Sequence, residues 1–520
     1  MKRRLHAVCA ASLLAGAAWA AAGEAPAGAF TDVSRQSGVQ AIVEAHYASV
    51  PKWWLSGMTL VDFDGDGDLD LHLAGHGFPA AAGANDGKGR FTRVDPKLKI
   101  PRGKRKRDDI PYPGGEIRLV YDVNEDGKPD VLCSWHDSGG VNYLNDCKPG
   151  SPPAWNFKVH EPGFDAFSRA VAMADVNRDG LVDYLATADG RRGSLTAIPG
   201  KSPGKWGGRT SLPVLRESGA VPADVDGDGD LDYLVSQRGY NPVRRQILLN
   251  DGKGGFTNAT DKAGLKEEGA SIHGVGDLDA DGDLDLICVE GKSISIRLND
   301  GRGRFTQAPA IAGLAGVRPK PSTGNWGGAV VTDFDNDGAA DVIVNGKYFL
   351  YLLRGLGGGR LALANKQWRI PTAIAPAVDE GLCFGDIDAD GDLDLVTFGR
   401  RTGGKGKGVA VYRNDLPARR WVRVRPIGAK GNRAAAGAKI RIFEPGREGK
   451  PGKLLWFEQV AIWGRQSFHS YYFHTVTERH FGLGDREAVD VSVEFYPSGK
   501  TVWKKAVKAD TVVEVREPAP

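Results

Sequence analysis

Short runs of apolar or alternating residues, separated by turns rich in Asp and Gly, recur along most of the chain. Residues 58–61 and 69–73, for example, flank an acidic turn, and each run is only a few residues long. Runs of this length bounded by turn residues are typical of β-strands rather than helices. The pattern therefore predicts an all-β protein built from many short strands.

One acidic turn, with the pattern Asp-x-[Asp/Asn]-x-Asp-Gly-x-x-Asp, occurs seven times at intervals of about 54 residues. Self-similarity at such a period indicates a chain built from copies of one supersecondary unit. Positions one, three, five and nine of the seven turns hold Asp62, Asp64, Asp66 and Asp70; Asp122, Asn124, Asp126 and Asp130; Asp175, Asn177, Asp179 and Asp183; Asp224, Asp226, Asp228 and Asp232; Asp277, Asp279, Asp281 and Asp285; Asp333, Asp335, Asp337 and Asp341; and Asp386, Asp388, Asp390 and Asp394.

The chemistry of these turns points to a hard cation. Calcium takes six to eight oxygen ligands, and the glycine at position six permits the sharp turn that brings carboxylates together. The flanks are strand-like and the Glu that ends an EF-hand loop is absent, so each turn is predicted to join two strands. We expect up to seven calcium ions with a structural role. The alternative is a set of solvated acidic turns that bind no metal.

A second element, Asn-Asp-Gly-x-Gly-x-Phe-Thr, stands at residues 85–92, 250–257 and 299–306. Asn-Asp-Gly between apolar runs is a strong hairpin signal. Each repeat then contains four antiparallel strands, as in a propeller blade, and seven repeats predict a seven-bladed β-propeller over residues 28–415. The last repeat lacks its Phe-Thr strand, so residues 29–34 are predicted to close the last blade.

The two elements together resemble FG-GAP/VCBS repeats, which build integrin-like seven-bladed propellers. After residue 415 the acidic turns stop, and alternating runs at 421–425, 438–443 and 489–495 predict a small β-sandwich-like domain over 416–516. This stretch is similar to the ASPIC/UnbV domain, on Asn432-Arg433, Gly437-Ala438-Lys439-Ile440, His480-Phe481-Gly482-Leu483-Gly484, Val489-Asp490 and Tyr496-Pro497-Ser498-Gly499. The whole resembles the cartilage acidic protein family and its bacterial relatives, which implies an extracellular, calcium-binding, adhesion-like role.

The first 20 residues read as a signal peptide. Lys2, Arg3 and Arg4 precede a short apolar stretch that ends in a small-x-small site at residues 18–20. We therefore predict secretion, to the periplasm or the extracellular space, and no membrane span. Among the remaining cysteines, Cys133 and Cys147 could bridge a hairpin; Cys288 and Cys383 lie in apolar runs, where buried thiols are expected.

The strands that precede the acidic turns would line the channel of a propeller, and their far ends would surround its mouth. The mouth residues proposed as a ligand site are Trp54, Glu116, His136, Arg169, His273, Trp326 and Glu380. Such a mixed set suits a sugar or peptide, although residues that merely cap the channel would look the same. No catalytic residue is assigned. The leading hypothesis is non-enzymatic adhesion or carbohydrate and matrix recognition; the alternative is a polysaccharide lyase, with its base and neutralising group among these His and Arg residues.

Composition and charge refine the choice of partner. Hydrophobic residues make up 41% and charged residues 26% of the chain, as in globular proteins, and the formal net charge of +3 speaks against a nucleic-acid binder. Removal of the signal peptide takes away three positive charges, and seven calcium ions would then make the chain net positive. The expected partners are an extracellular glycan, a matrix component or a cell-surface protein, with acidic glycans a fair hypothesis.

Overall fold

The structure is a computed structural model of the 520-residue chain. It describes residues 28–53, 55–75, 80–94, 97–99, 117–134, 141–145, 156–160, 170–187, 195–208, 210–212, 218–237, 244–290, 293–315, 326–346, 349–371, 381–400, 407–446, 452–467, 470–474 and 478–519. Within these ranges the regular elements are β-strands apart from helices α1 (Val39–Ser49) and α2 (Asn365–Trp368). The all-β prediction is confirmed. Neither described helix has the length and apolar character needed to cross a membrane.

The first two repeats form separate antiparallel sheets. The first contains β2 (Leu55–Val61), β3 (Asp70–Gly75), β4 (Ala81–Asn85) and β5 (Phe91–Val94), in that order, and is preceded by β1 (Phe30–Asp32). The second contains β7 (Ile117–Tyr121), β8 (Asp130–Ser134), β9 (Val141–Asn145) and β10 (Asn156–His160), with β6 (Lys97–Lys99) added in parallel to β10. In both sheets the acidic turn joins the first two strands of the repeat.

The third and fourth repeats continue this order. The third pairs β11 (Ala170–Ala174), β12 (Asp183–Thr187), β13 (Leu195–Ile198) and β16 (Thr210–Leu212), with a small hairpin of β14 (Gly200–Ser202) and β15 (Lys205–Trp206) inserted before the last strand. The fourth sheet is β17 (Ser218–Ala223), β18 (Asp232–Gln237), β19 (Arg245–Asn250) and β20 (Phe256–Asn258).

Three further repeats complete the series. The fifth sheet is β21 (Ala270–Gly276), β22 (Asp285–Glu290), β23 (Ser293–Asn299) and β24 (Phe305–Gln307), and the sixth is β25 (Trp326–Thr332), β26 (Asp341–Gly346), β27 (Phe349–Gly355) and β28 (Leu361–Leu363). The last repeat supplies only β29 (Gly381–Gly385), β30 (Asp394–Arg400) and β31 (Lys407–Asn414). Repeated four-stranded meanders of this kind make the fold propeller-like.

The start of the described chain pairs with this last repeat. β1 runs antiparallel to β31, with Phe30 opposite Asn414 and Asp32 opposite Tyr412. The side chain of Thr31 also hydrogen-bonds to that of Asp415. Phe30 is buried in an apolar cluster that includes Leu395. The fourth strand of the last repeat is therefore contributed by a segment that lies far away in sequence.

The C-terminal unit, residues 416–519, contains two small sheets and one long hairpin. The sheets are β37 (Arg479–Gly484), β32 (Arg420–Ile427) and β40 (Thr511–Arg516), and β34 (Leu454–Gln459), β33 (Lys439–Phe443), β38 (Ala488–Glu494) and β39 (Thr501–Lys508). Their apolar faces share one core cluster, in which Ile440 and Val491 lie together with Val342 and Leu353 of the sixth repeat. The C-terminal unit thus packs directly on the repeats.

The hairpin of the C-terminal unit, β35 (Ile462–Ser467) and β36 (Ser470–His474), joins the sheets of the repeats. β35 pairs antiparallel with β11, from Ile462 opposite Met173 to Arg465 opposite Ala170. β36 meets β29 in parallel at Tyr471 and Gly381. The hairpin also lies next to the first strands of other repeats, β2, β7, β17 and β25. No pattern in the sequence indicates this insertion.

Candidate functional site: the acidic turns

The ninth residue of every acidic turn is the first residue of the following strand. In the first turn this is Asp70, whose two carboxylate oxygens accept hydrogen bonds from the backbone N–H groups of Phe63 and Asn85, both at 3.0 Å. Asp232 is held in the same way by Val225 and Asn250. The carboxylate therefore ties the acidic turn to the hairpin turn of its own repeat.

Burial has a large effect on these ninth-position carboxylates. Asp70, Asp232 and Asp285 are fully buried, and loss of hydration raises the pKa of each to about 8, although backbone N–H groups act in the opposite direction. The acidic neighbours in the same turn raise it further. A group of carboxylates held this way favours either protons or a bound cation.

The first residue of each turn organises the loop backbone. Asp62 accepts hydrogen bonds from the N–H groups of Gly65 at 2.6 Å and Gly67 at 3.1 Å. Gly67, at position six, has φ of 100°, a backbone conformation that favours glycine. A residue with a side chain would be strained at this angle, which explains why position six is glycine.

Five of the seven turns bring three carboxylates together. In each group one oxygen atom per residue lies within 4.8 Å of the others, which is close enough to share one ion: Asp62, Asp64 and Asp66; Asp224, Asp226 and Asp232; Asp277, Asp279 and Asp285; Asp333, Asp335 and Asp341; and Asp386, Asp388 and Asp394. The donor atoms are all oxygens, as hard cations require.

The third-position carboxylates supply a direct test of whether a cation fits. Asp64, Asp279 and Asp388 each have a buried oxygen, Oδ1, with no hydrogen-bond partner. A buried charged oxygen without a partner is costly, and it is rare in native structures unless an ion or water completes it. The first, fifth and seventh turns therefore fit a bound cation on their own geometry.

The second and third turns differ because Asn occupies their third position. The Asn124 amide nitrogen donates to Asp126 Oδ2 and that of Asn177 donates to Asp179 Oδ2, both at 3.1 Å. The Asn oxygens accept the N–H groups of the same two Asp residues, at 3.0 and 3.1 Å. The hydrogen bonds of these amides are thus made within the loop.

The asparagine of the hairpin turn has a role that sequence reasoning missed. Four such residues are buried and donate from Nδ2 to the backbone carbonyl at position two of the acidic turn in another repeat: Asn85 to Ile387 at 2.8 Å, Asn250 to Val176 at 3.0 Å, Asn299 to Val225 at 2.8 Å and Asn414 to Phe334 at 2.7 Å. These bonds connect neighbouring repeats. The bond of Asn85 connects the first repeat to the last.

Basic side chains of the C-terminal unit pair with the first-position carboxylates of two acidic turns. Lys439 Nζ lies 2.5 Å from Asp224 Oδ2, and an Arg423 guanidinium nitrogen lies 2.6 Å from Asp386 Oδ2. The side chains of Asp224 and Asp386 are only 1% and 3% exposed. The C-terminal unit therefore lies on the face of the repeats that carries the acidic turns.

The structure describes little of the predicted ligand mouth. His273 lies in β21, 2% exposed, with Nε2 2.6 Å from Ser271 Oγ. Trp326 is the first residue of β25, but its side chain lies outside the described parts. The other five mouth residues, Trp54, Glu116, His136, Arg169 and Glu380, lie outside the described residues altogether.

Of the cysteines, Cys288 and Cys383 are buried thiols, as predicted. Burial raises the pKa of Cys288 to about 11, which makes it a poor nucleophile. Cys133 and Cys147, which could bridge a hairpin, lie outside the described side chains.

Comparison with known proteins agrees with the repeat analysis. The model of the FG-GAP-like repeat matches residues 224–288, 277–344 and 333–397. This part of the chain carries three FG-GAP-like repeats. Each match begins at the first Asp of an acidic turn, so the turn and the strands around it belong to the repeat. No curated protein matches the sequence.

Two of the solved structures that are similar to this chain each cover about 70% of it. One is an Agrocybe aegerita lectin that recognises non-reducing terminal N-acetylglucosamine, with 19% identity and a TM-score of 0.42, covering 69% of this chain and 94% of that chain. The other is BBS1N in complex with ARL6DN, with 12% identity and a TM-score of 0.38, covering 70% and 93%. Neither similarity bears on the function of this chain.

Proposed function

We propose that this chain is a secreted seven-bladed β-propeller, stabilised by calcium, that acts in non-enzymatic adhesion or recognition of a glycan or matrix partner. The observation that carries the calcium part is the set of buried, unpartnered oxygens of Asp64, Asp279 and Asp388. They lie at equivalent positions of three repeats, so one common cause accounts for them better than three separate defects.

A closed ring is supported by contacts between the two ends of the repeat series. β1 completes the sheet of the last repeat, and Asn85 of the first repeat donates to Ile387 of the last. A closed ring leaves no sheet edge between its first and last blades. Seven acidic turns, one for each repeat, make seven blades the natural number.

The choice of calcium follows from the donor set. Each three-carboxylate group offers oxygen ligands only, which suits calcium or magnesium better than zinc or copper. Loops of irregular geometry favour the larger calcium ion, because magnesium demands a near-octahedral shell. Extracellular calcium is abundant enough for sites with dissociation constants of about 10⁻⁴–10⁻³ M.

A recognition role is supported by the architecture. The β35–β36 hairpin pairs with first strands of the repeats, so the propeller and C-terminal unit present themselves to a partner as one body. His273, the one candidate for acid–base chemistry whose side chain is described, is buried and bonded to Ser271. An adhesion-like protein with an ASPIC/UnbV-like C-terminal domain remains the prediction from sequence resemblance.

Thermal melting tests the calcium part of the proposal. At 2 mM Ca²⁺, a site with a dissociation constant of about 10⁻⁴–10⁻³ M stabilises the fold by about 0.6–1.8 kcal/mol. Three such sites in a chain of this size correspond to a rise in Tm of about 2–5 °C over the chelator-dialysed protein. Magnesium at the same concentration serves as control. An identical Tm with calcium and with chelator would refute calcium stabilisation.

Binding is tested on a glycan array and on immobilised matrix components, with a polysaccharide-cleavage screen run in parallel. Specific, saturable binding without cleavage is expected. Formation of unsaturated products would instead make the protein a lyase. Because the calcium-loaded chain is expected to be net positive, binding to acidic glycans should weaken as salt is raised.

A further inference from the structure

We infer that the sixth acidic turn, residues 333–341, binds no calcium. Arg354 neutralises the carboxylates of this turn and strand β37 covers them, so that the turn serves as a contact surface for the C-terminal unit. This inference rests on the proposed calcium sites, since it separates this turn from the turns that hold the ion.

Arg354 forms two ion pairs with this turn. Its Nε lies 2.5 Å from Asp335 Oδ2, and a terminal guanidinium nitrogen lies 2.5 Å from Asp337 Oδ2. These are the third and fifth positions, which would face an ion. The side chains are largely buried, at 27% exposure for Arg354, 10% for Asp335 and 14% for Asp337. Paired, charge-assisted hydrogen bonds of this kind are strong and specific for the planar guanidinium group.

The pairing removes the buried, unpartnered third-position oxygen that marks a cation site in the first, fifth and seventh turns. The second oxygen of Asp335, Oδ1, accepts the N–H group of Asp337 at 3.3 Å, so both oxygens of Asp335 have partners. In the first and fifth turns the equivalent residues, Asp64 and Asp279, keep a buried oxygen without one. The sixth turn therefore has no buried third-position oxygen that needs an ion as its partner.

The position of Arg354 in the blade explains why it reaches the turn. It directly precedes Gly355, whose N–H group donates to Asp341 Oδ1 at 2.7 Å. Asn299 makes the same bond to Asp285 in the fifth repeat, where Leu298 occupies the equivalent place. The substitution of an arginine for a leucine at this register position puts a cation beside its own acidic turn.

The seventh repeat shows that an arginine at this position is not sufficient to neutralise the acidic turn. Arg413 directly precedes Asn414, but its Nε donates to Asp415 at 2.8 Å. Asp388 in that repeat still has a buried oxygen without a partner. The sixth turn differs because its arginine pairs with the turn itself.

Strand β37 of the C-terminal unit covers the sixth turn. A Cβ atom added to Gly482 would lie 2.0 Å from Asp333 Oδ2, so the strand backbone is in direct contact with the first-position carboxylate. Gly484 N–H donates to the Asn336 carbonyl at 2.9 Å, and His480 Nε2 lies 2.6 Å from Asn336 Oδ1. A hydrated ion would have to displace both Arg354 and this strand.

Calcium counting in single-turn variants tests the inference. Full-length protein is dialysed to equilibrium against 2 mM Ca²⁺. The number of bound calcium ions per chain is then measured by elemental mass spectrometry. D279A in the fifth turn removes a ligand oxygen and should lose one ion per chain, whereas D335A in the sixth should lose none. Loss of one ion in D335A would overturn the inference. If D279A also lost none, the calcium proposal would fail, while the sixth turn would still be metal-free as inferred.

Removal of the arginine tests the neutralising role separately. R354M should gain one calcium ion per chain, because the carboxylates lose their internal cation. K366M is the matched control, since it removes one positive charge from the exposed face of α2 in the same repeat and should leave the count unchanged. An unchanged count in folded R354M would refute the role of Arg354. If R354M does not fold, the comparison of D279A with D335A decides the question.

Discussion

The buried asparagine of the hairpin turn should contribute more to stability than any exposed residue of that turn. Asn299 is 8% exposed, and its Nδ2 donates to Val225 O at 2.8 Å and to Leu284 O at 3.2 Å. N299A leaves two buried carbonyls without this donor, at about 1–3 kcal/mol each. We expect the free energy of unfolding to fall by about 2–4 kcal/mol, allowing for relaxation of the site.

Asp300, the next residue in the same turn, provides the control. It is exposed, and its Oδ1 accepts the backbone N–H groups of Arg302 and Arg304. D300A should cost less than about 1 kcal/mol, because water replaces these hydrogen bonds. The assay is unfolding in guanidinium chloride with 2 mM Ca²⁺, monitored by Trp fluorescence. The slope of the unfolding free energy against denaturant concentration is compared between variants, because only variants with the same slope can be compared directly. A difference of less than about 1 kcal/mol between N299A and D300A would refute the reasoning.

The same substitution at Asn85 extends the test to ring closure. Asn85 Nδ2 donates to Ile387 O at 2.8 Å, across 302 residues of sequence, and to Leu69 O at 3.2 Å. If the first and last repeats are neighbours in a closed ring, N85A should destabilise the protein as much as N299A. A loss about half as large would mean that only the bond within the first repeat exists.

Three further predictions concern the contact between the C-terminal unit and the repeats. G482A should destabilise the protein by several kcal/mol, because its Cβ would lie 2.0 Å from Asp333 Oδ2; an unchanged melting temperature would show that β37 is not seated on the turn. K439M should lower the melting temperature in chelator, because buried Asp224 loses its partner, and it should gain more than wild type from added calcium; equal calcium gains would contradict this. Burial, and then the charge of Arg423, hold the pKa of His480 well below its ordinary 6.5, so the neutral imidazole contributes stability above about pH 6.5 that is lost as the pH falls below it. Comparison with H480Q isolates this effect, and melting curves of the two proteins that stay parallel from pH 7.5 to pH 5 would rule it out.

The repeat and its acidic turn could be predicted from sequence because both depend on local chemistry. The Asp-x-Asp-x-Asp-Gly spacing fixes a tight turn, and the angle at Gly67 shows why position six is glycine. The all-β fold and the buried thiols of Cys288 and Cys383 follow from equally local apolar patterns. Expectations of this kind need no knowledge of which segments meet in space.

The parts that sequence analysis missed all depend on distant segments. The Asn-Asp-Gly motif predicts a hairpin turn, but nothing in it indicates that Asn299 bonds to a carbonyl 74 residues away. Lys439 and Asp224 are 215 residues apart, and the sequence around neither residue indicates that they form an ion pair. One signal was available: a polar residue repeated in most of the units beyond the needs of its turn suggests a contact between units.

Sequence composition divides the molecule in two at residue 416, whereas the packing of the structure is continuous across this boundary. Composition separates a repeat region from a C-terminal unit, yet one apolar cluster contains Val342 of the sixth repeat together with Ile440 and Val491. The β35–β36 hairpin pairs with β11 and β29, so these first strands complete their hydrogen bonds only with the C-terminal unit in place. Lys439 and Arg423 neutralise carboxylates that would otherwise lie buried and unpaired in the repeats. Hydrogen bonds, apolar packing and charge therefore all cross the same boundary, and the repeats and the C-terminal unit stabilise each other as parts of one folding body.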